Sequence, residues 1–133
     1  FSENRMKEHH IGIIVKSIEK DIDIYEKLGY RRESKIYVDE IQKNKVVFLY
    51  REGNDLLLEL IEPIDRTSTV YTAQLGYHHI CYEVNSDNEV NDMYKVKGTA
   101  IIFLRKVRAV ALKNRCVSFA MLQNGLIVEY LYK

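Results

Sequence analysis

Two histidines and two glutamates recur at matching places along this chain of 133 residues. His10 lies in the segment HHIGIIV and His79 in HHICYEV, while Glu59 and Glu129 each end an apolar run, LLLE and LIVE. An unpaired carboxylate in such a run is costly to bury, so a compensating group is expected beside each glutamate. Imidazole nitrogens and carboxylate oxygens are common ligands of divalent transition-metal ions. The spacing therefore predicts that these four side chains meet in a His₂Glu₂ metal site.

Each residue also has an ordinary interpretation when it is taken alone. A glutamate in an apolar strand usually faces solvent, and a strand histidine is usually structural; the duplication favours the metal site because two matched pairs rarely arise by chance. His9 and His78 recur as well, but strand alternation predicts that they point away from the site, as structural or surface residues. Cys81 shares a strand face with His79, where its thiol either borders the site or, more commonly, stays a buried free cysteine.

The similarity between the two halves extends beyond these residues. At an offset of 69 residues, His9-His10-Ile11, Val15, Tyr25 and Gly29 match His78-His79-Ile80, Val84, Tyr94 and Gly98, and later the offset becomes 70. We therefore predict a duplicated module within a single domain that spans residues 6–133. Module one covers residues 8–62, the linker 63–76 and module two 77–133. Residues 1–5 precede Met6 and are expected to be a remnant of cloning rather than native chain.

Both halves show the same order of elements, β-α-β-β-β, and together they indicate an α+β fold. In the first half, strands are predicted at 9–16, 30–38, 45–51 and 55–62, and Ser17 is the predicted cap of a helix that ends at Gly29. In the second half, strands are predicted at 77–84, 99–105, 115–122 and 126–132, and a helix near 87–97 that ends at Gly98. Asn124-Gly125 is typical of a tight hairpin turn.

Composition excludes several classes of protein. The 20 Lys and Arg residues nearly balance the 19 Asp and Glu residues, which argues against a nucleic-acid or anionic-membrane partner. No apolar run approaches the ~20 residues of a membrane span. Two cysteines make neither a CxxC pair nor a disulfide framework, so we expect a cytoplasmic protein. The basic stretch between Arg105 and Arg115 is either a solvated loop or a contact for an anionic group of the substrate.

The segments HHIGIIV, LLLELIEP, GYHHICYEV and GLIVEYL resemble the four motifs of the vicinal oxygen chelate superfamily, over nearly the whole chain after Met6. The resemblance implies paired βαβββ modules that form an open eight-stranded, barrel-like sheet around a metal. It also implies that His10, Glu59, His79 and Glu129 are the ligands. Glu129 would be the catalytic base, and Glu59 its counterpart.

Two families of this superfamily are the most similar. The short length and the His, Glu, His, Glu order resemble bacterial glyoxalase I (lactoylglutathione lyase), which implies Ni²⁺ or Co²⁺, with Zn²⁺ or Mn²⁺ as alternatives. That enzyme isomerises the hemithioacetal of methylglyoxal and glutathione, or a similar thiol, to a lactoyl thioester through an enediolate. GYHHICYEV and LIEPI resemble methylmalonyl-CoA epimerase as closely.

The chain departs from both patterns. Ile14 and Pro63 stand where bacterial glyoxalases have an Arg and an Asn that hold glutathione, and residues 120–124 replace the His-Pro-Lys run of the epimerases. A third alternative is a metal-free drug-binding resistance protein of the same fold, although such proteins generally lack the ligand set. A fourth ligand argues against an extradiol dioxygenase. A homodimer is expected, because the edge strands of such modules need covering.

Overall fold

The computed structural model describes residues 6–94 and 100–133. The elements in chain order are β1 (Lys7–Ile14), α1 (Ile18–Lys27), β2 (Tyr30–Arg32), β3 (Tyr37–Asp39), β4 (Asn44–Arg51), β5 (Asn54–Pro63), β6 (Gly76–Val84), α2 (Asp87–Tyr94), β7 (Ala100–Ala109), β8 (Arg115–Leu122) and β9 (Ile127–Tyr132). A short 3₁₀ turn, Val110–Leu112, joins β7 to β8. The predicted α+β class with an open sheet is confirmed.

Within the described ranges, the nine strands form a single mixed sheet. Its order is β2-β4-β5-β1-β6-β9-β8-β7, and β3 pairs with β4 as well. β1 runs parallel to β5, β6 runs parallel to β9, and the antiparallel pair of β1 and β6 joins the two halves. Each half therefore brings its first and last long strands together next to the central junction. The predicted boundaries of the two modules stay a prediction.

The continuous strand predicted at 30–38 is wrong in its middle. β2 ends at Arg32 and β3 begins at Tyr37, so one predicted strand is two strands in the structure. Both pair with β4, and β3 lies outside the consecutive order of the other eight described strands. Between them, the Ser34 hydroxyl accepts a hydrogen bond of 3.0 Å from the backbone N–H of Phe48. A side chain thus takes the place of a backbone carbonyl of the ladder, and regular pairing with β4 stops there.

Helix α1 begins where two side chains satisfy its first backbone N–H groups. The Ser17 hydroxyl accepts from the N–H of Lys20 at 3.3 Å, and the Glu62 carboxylate accepts from the N–H of Ile18 at 2.8 Å. Ile18 and Ile22 are buried, four residues apart on one side of the helix. They pack on the sheet face that carries Val47, Leu49 and Leu60, which we call the helix face.

Helix α2 occupies the equivalent place in the second half. Val90 is buried against Val84, Ala120, Val128 and Tyr130 on the helix face of the sheet. The predicted end of this helix at Gly98 lies outside the described residues, as do residues 1–5. None of the helices in the described part of the chain has the length and apolar character needed to span a bilayer.

The opposite face of the sheet, which we call the site face, has its own core. Strand alternation places Val46, Phe48, Cys81, Val117, Phe119 and Leu131 there. Leu112 of the 3₁₀ turn joins this cluster, and the turn contacts β3 and β4. A segment of the second half therefore reaches across the site face and contacts the first half.

Candidate metal centre

The four predicted ligands come together on the site face. His10 is on β1, Glu59 on β5, His79 on β6 and Glu129 on β9, so the four central strands contribute one residue each. All four side chains are buried, and the most accessible residue of the set, Glu59, is 8% exposed. Parallel pairing explains the convergence, since Glu59 lies opposite Gly12 on β1 and Glu129 opposite Cys81 on β6.

The ligand atoms converge on one point. Nε2 of His10 lies 2.8 Å from Oε1 of Glu129 and 3.3 Å from Oε1 of Glu59. Nε2 of His79 lies 3.0 Å and 3.4 Å from the same two oxygens, and the two Nε2 atoms are 3.4 Å apart. These four atoms lie within 4.8 Å of one another, beside a cavity of about 30 Å³.

The spacing of these atoms fits a transition-metal ion. Bonds of about 2.1 Å hold ligand atoms roughly 3.0 Å apart at right angles and roughly 3.4 Å apart at tetrahedral angles. The observed separations between a nitrogen and an oxygen run from 2.8 to 3.4 Å. Two nitrogens and two oxygens also form a suitable donor set for such an ion. The structure brings the predicted residues together, and their role as ligands stays a prediction.

Charge in the cluster is balanced. Burial by itself lowers the pKa of His10 and His79. Cys81 and the two carboxylates outweigh it at His10, and the two carboxylates outweigh it at His79, so the pKa of both imidazoles lies above 6.5. Burial by itself raises the pKa of Glu59 and Glu129, but the imidazoles outweigh it and lower both. The cluster thus favours protonated imidazoles that face ionised carboxylates. A divalent cation would displace two protons and leave the net charge unchanged, which suits a buried site.

Two small residues make room for the imidazole rings. The ring of His79 lies against the backbone of Gly12, where a Cβ would be 2.5 Å from Nδ1 and 2.7 Å from Nε2. Cys81 lies opposite His10 across the β1–β6 pair. Its thiol is completely buried and free, and burial raises its pKa to about 12. A glycine inside a strand can indicate such a close approach, but the sequence prediction assigned Gly12 no role.

Two phenylalanines hold the same rings from the side. Phe48 meets His10 edge to face with ring centres 5.0 Å apart, and Phe119 meets His79 in the same way at 5.2 Å. Phe48 lies opposite Glu59 in the sheet and Phe119 lies opposite Glu129. Each half therefore places one aromatic side chain next to its histidine and its glutamate. Nothing in the sequence spacing marks these two residues.

The expectation that His9 and His78 point away from the site is wrong. The pairing of β1 with β6 skips His9 on one strand and His78 on the other, so each is the extra residue of a β-bulge. An extra residue breaks the alternation on which the expectation was based. Nδ1 of His9 lies 2.8 Å from Nδ1 of His10, and Nδ1 of His78 lies 2.8 Å from Nδ1 of His79. Burial lowers the pKa of both outer histidines, that of His78 to about 4.

Two larger cavities flank the cluster. The first, of about 340 Å³, includes His78, Ile101, Phe103 and Met121 in its lining, and none of the described residues around it is charged. The second, of about 470 Å³, is lined by His9 together with Lys35, Lys113, Arg115 and other residues. The two sides of the site thus differ in character, apolar next to His78 and basic next to His9.

The basic stretch is not a simple loop. β7 extends to Ala109, four residues past its predicted end, and carries Lys106, whose ammonium lies 2.7 Å from the Asp87 carboxylate. Arg115 begins β8 and donates a hydrogen bond of 2.8 Å to Glu83. Lys113 and Arg115 border the basic cavity, and a substrate contact there stays a prediction.

Comparisons with known proteins agree with this architecture. A family model described as the glyoxalase/bleomycin resistance protein/dioxygenase superfamily matches residues 9–119. No curated protein sequence matches the chain. Among solved structures, a hypothetical protein from Bacillus halodurans C-125 is 25% identical, with a TM-score of 0.81 over 97% of this chain and 95% of its own.

Two methylmalonyl-CoA epimerases are also similar in structure. The Mycobacterium tuberculosis epimerase has a TM-score of 0.78 and 18% identity, over 94% of this chain and 86% of its own. A single-residue variant of the Streptomyces coelicolor epimerase, in complex with 2-nitronate-propionyl-CoA, has a TM-score of 0.75 and 19% identity, over 96% of each chain. At these identities, the likeness to the epimerases is one of fold.

Proposed function

The chain belongs to the glyoxalase/bleomycin resistance protein/dioxygenase superfamily, and from that premise we propose that it is a metal-dependent enzyme of the glyoxalase I type. It would isomerise the hemithioacetal of methylglyoxal and a thiol, normally glutathione, to a lactoyl thioester. The observation that carries the proposal is the buried cluster of His10, Glu59, His79 and Glu129, whose four ligand atoms lie within 4.8 Å of one another. Burying four ionisable side chains only to form ion pairs would bring little net stability, so ion pairing alone does not explain such a cluster at the centre of a sheet.

The same four residues would hold the ion. A bound divalent cation would stabilise the negative charge that develops on substrate oxygens when a neighbouring C–H bond loses its proton. We assign Ni²⁺ or Co²⁺ to the site, with Zn²⁺ and Mn²⁺ as alternatives, and this choice is supported by the resemblance to the short bacterial enzymes.

Glu129 is the proposed base and Glu59 its counterpart. Both carboxylates border the small cavity at the centre of the cluster, and their lowered pKa values keep them ionised. A carboxylate that moves away from the neighbouring positive charges regains its basicity and can then accept a proton. In the reaction, the C1–H bond of the hemithioacetal breaks as an O–H bond forms on the carboxylate. That O–H bond then breaks as a C2–H bond forms. The proton of the C1 hydroxyl passes to the C2 oxygen as the C1=O bond of the thioester forms, so the enzyme ends unchanged.

The buried position of the cluster supports this chemistry in a second way. A carboxylate shielded from water keeps the proton it has taken from exchanging with solvent, and it can return the same proton to the neighbouring carbon. Phe48 and Phe119 flank the two imidazoles and are themselves buried, so an apolar ring shields each imidazole on one side.

The proposal is tested by a thioester assay. Metal-free protein is loaded separately with Ni²⁺, Co²⁺, Mn²⁺ and Zn²⁺ and is incubated with methylglyoxal and glutathione. We expect lactoylglutathione with Ni²⁺ or Co²⁺ and none after chelation. If no thioester forms with any of the four ions while stoichiometric metal is bound, the glyoxalase assignment is wrong.

A methylmalonyl-CoA epimerase is the second candidate, and the solved epimerase structures of the same fold favour it. Epimerisation removes a proton from one face of a planar intermediate and returns a proton to the other, so it needs two acid–base groups. Asp39 is a third buried carboxylate at the central cavity, but its Oδ1 accepts backbone hydrogen bonds from Ile41 and Gln42. Incubation with methylmalonyl-CoA in D₂O distinguishes the two candidates, because only an epimerase incorporates deuterium at C2 of this substrate.

We also propose that the chain forms a homodimer. β2 and β7 end the strand order of the described sheet, and β7 exposes Ile101 and Phe103, which are 74% and 54% accessible. Unpaired strand edges and apolar side chains of this kind are commonly covered by a second copy. Light scattering coupled to size-exclusion chromatography measures the mass directly, and a mass of one chain would contradict the proposal.

A further inference from the structure

We infer that His9 and His78 are positioning residues, which fix the proton of each ligand imidazole on Nδ1 and leave Nε2 free to bind the ion. This inference rests on the proposed metal site. It is carried by two hydrogen bonds, from Nδ1 of His10 to Nδ1 of His9 and from Nδ1 of His79 to Nδ1 of His78, each 2.8 Å long.

The direction of these hydrogen bonds follows from the ligand role. Nε2 of His10 and Nε2 of His79 face the carboxylates at the centre, so each must offer a lone pair there to bind a metal. A neutral imidazole carries one proton, which must then lie on Nδ1. That N–H group donates to the outer histidine, whose Nδ1 accepts and whose own proton lies on Nε2.

The backbone is shaped so that these contacts can form. In a regular strand, adjacent side chains point to opposite faces, and adjacent imidazoles would not meet through Nδ1. The bulges at His9 and His78 in the β1–β6 pair turn each outer ring toward its neighbour. Bulges are frequent next to functional sites, where they re-aim a side chain. The two bulges lie at equivalent places in the two halves, and the two histidine–histidine hydrogen bonds have the same length, which indicates the same role in both halves.

Two phenylalanines restrict the ligand rings without offering an acceptor, and the Cys81 thiol is a hydrogen-bonding neighbour of only one of these rings, that of His10. Phe48 packs against His10, and Phe119 packs against His79, both edge to face. These contacts limit ring rotation but do not distinguish the two tautomers. Outer hydrogen-bond partners of ligand histidines are usually carboxylates, backbone carbonyls or water. Here the outer partner is a second imidazole, which accepts a hydrogen bond without adding a negative charge to the buried cluster.

The test compares variants that keep or remove the acceptor. His9→Phe and His78→Phe keep a ring of similar size without an acceptor, whereas His9→Asn and His78→Asn place an oxygen the same number of bonds from the backbone as Nδ1. Tyr77→Phe is the control, because Tyr77 lies on the same strand as His78 and is 54% exposed. Affinity for Ni²⁺ and Zn²⁺ is measured by competition with a chromophoric chelator.

We expect each Phe variant to lose about 10- to 100-fold in metal affinity, as for other outer partners of ligand histidines. The Asn variants should recover most of that loss, and Tyr77→Phe should match the parent protein. Equal affinity in the parent and Phe variants, or equal losses in the Phe and Asn variants, would overturn the inference. In the latter case the outer rings would act through packing alone.

A second measurement does not depend on metal. In ¹⁵N-labelled, metal-free protein, N–H···N hydrogen bonds give scalar couplings between the two nitrogens, and we expect one such coupling for His9 and His10 and another for His78 and His79. Absence of both couplings would overturn the inference even if metal binds. If the couplings are present and the parent protein binds no divalent metal, the proposed function fails and the hydrogen-bond geometry stands.

Discussion

Replacing Gly12 with alanine should disable the proposed metal site, although Gly12 provides no ligand. A Cβ at this position would lie 2.5 Å from Nδ1 of His79, whereas ordinary contacts begin at 3.4 Å. The ring must therefore move by about 1 Å, while metal–ligand distances tolerate only about 0.2 Å. We expect the affinity for divalent metal to fall more than about 100-fold, beyond the loss of an outer-shell partner. The φ angle of Gly12 lies outside the left-handed region, so backbone strain does not contribute.

The same substitution should also change the free energy of unfolding. Overpacking a filled site costs about 1–3 kcal/mol, and alanine recovers about 0.5–1 kcal/mol over glycine in a strand. In metal-free protein, Gly12→Ala should therefore lower the free energy of unfolding. In a His79→Ala background the ring is gone, and Gly12→Ala should be neutral or stabilising. Urea denaturation of the four proteins measures this coupling. An equal stability cost in both backgrounds, or parental metal affinity in Gly12→Ala, would refute the reasoning.

Three further predictions concern the same centre. Glu129→Gln should retain weakened metal binding and lose turnover by about 10²- to 10⁴-fold, because an amide cannot accept the substrate proton. Near-normal turnover of this variant in the thioester assay would show that a group other than Glu129 is the base. Metal affinity should rise as pH increases above 6.5, since the raised pKa values of His10 and His79 mean that metal must displace their protons. Calorimetry in buffers of different ionisation enthalpy should detect this proton release. A metal affinity that does not change with pH would contradict the prediction. Cys116 should react with Ellman's reagent in native protein and Cys81 only after unfolding, because Cys81 is buried and its pKa is raised to about 12; rapid reaction of both thiols would be inconsistent with the structure.

Much of the fold could be predicted because each element carried a local signal. The helix that begins after Ser17 has apolar residues at helical spacing, and β4 and β5 are separated by a turn at Glu52-Gly53. The interruption between β2 and β3 could not be predicted in this way. It depends on the Ser34 hydroxyl reaching the backbone of Phe48, fourteen residues away, and a serine within an apparent strand gives no local warning of such a contact.

The candidate ligands were found because duplication supplies two independent instances of one pattern. A single buried glutamate is ambiguous, whereas Glu59 and Glu129 share both their local sequence and their place relative to a histidine. The same alternation rule that placed His10 and His79 on the site face failed for His9 and His78. Alternation assumes an uninterrupted ladder, and a bulge is decided by pairing between β1 and β6, which the sequence of either strand alone does not show.

The near-symmetry of the cluster has a consequence for its chemistry. Each half contributes one imidazole and one carboxylate from equivalent strands, so the two sides of the cluster present similar surroundings to a substrate. The proposed ligands alone therefore distinguish Glu59 and Glu129 poorly as the proposed base. The distinction must come from groups outside the cluster, and the flanking cavities provide it. The cavity beside His78 is apolar, and Lys35 and Lys113 border the cavity beside His9. A substrate with one apolar and one anionic end would bind in a single orientation, which would present its acidic C–H to one carboxylate and not to the other.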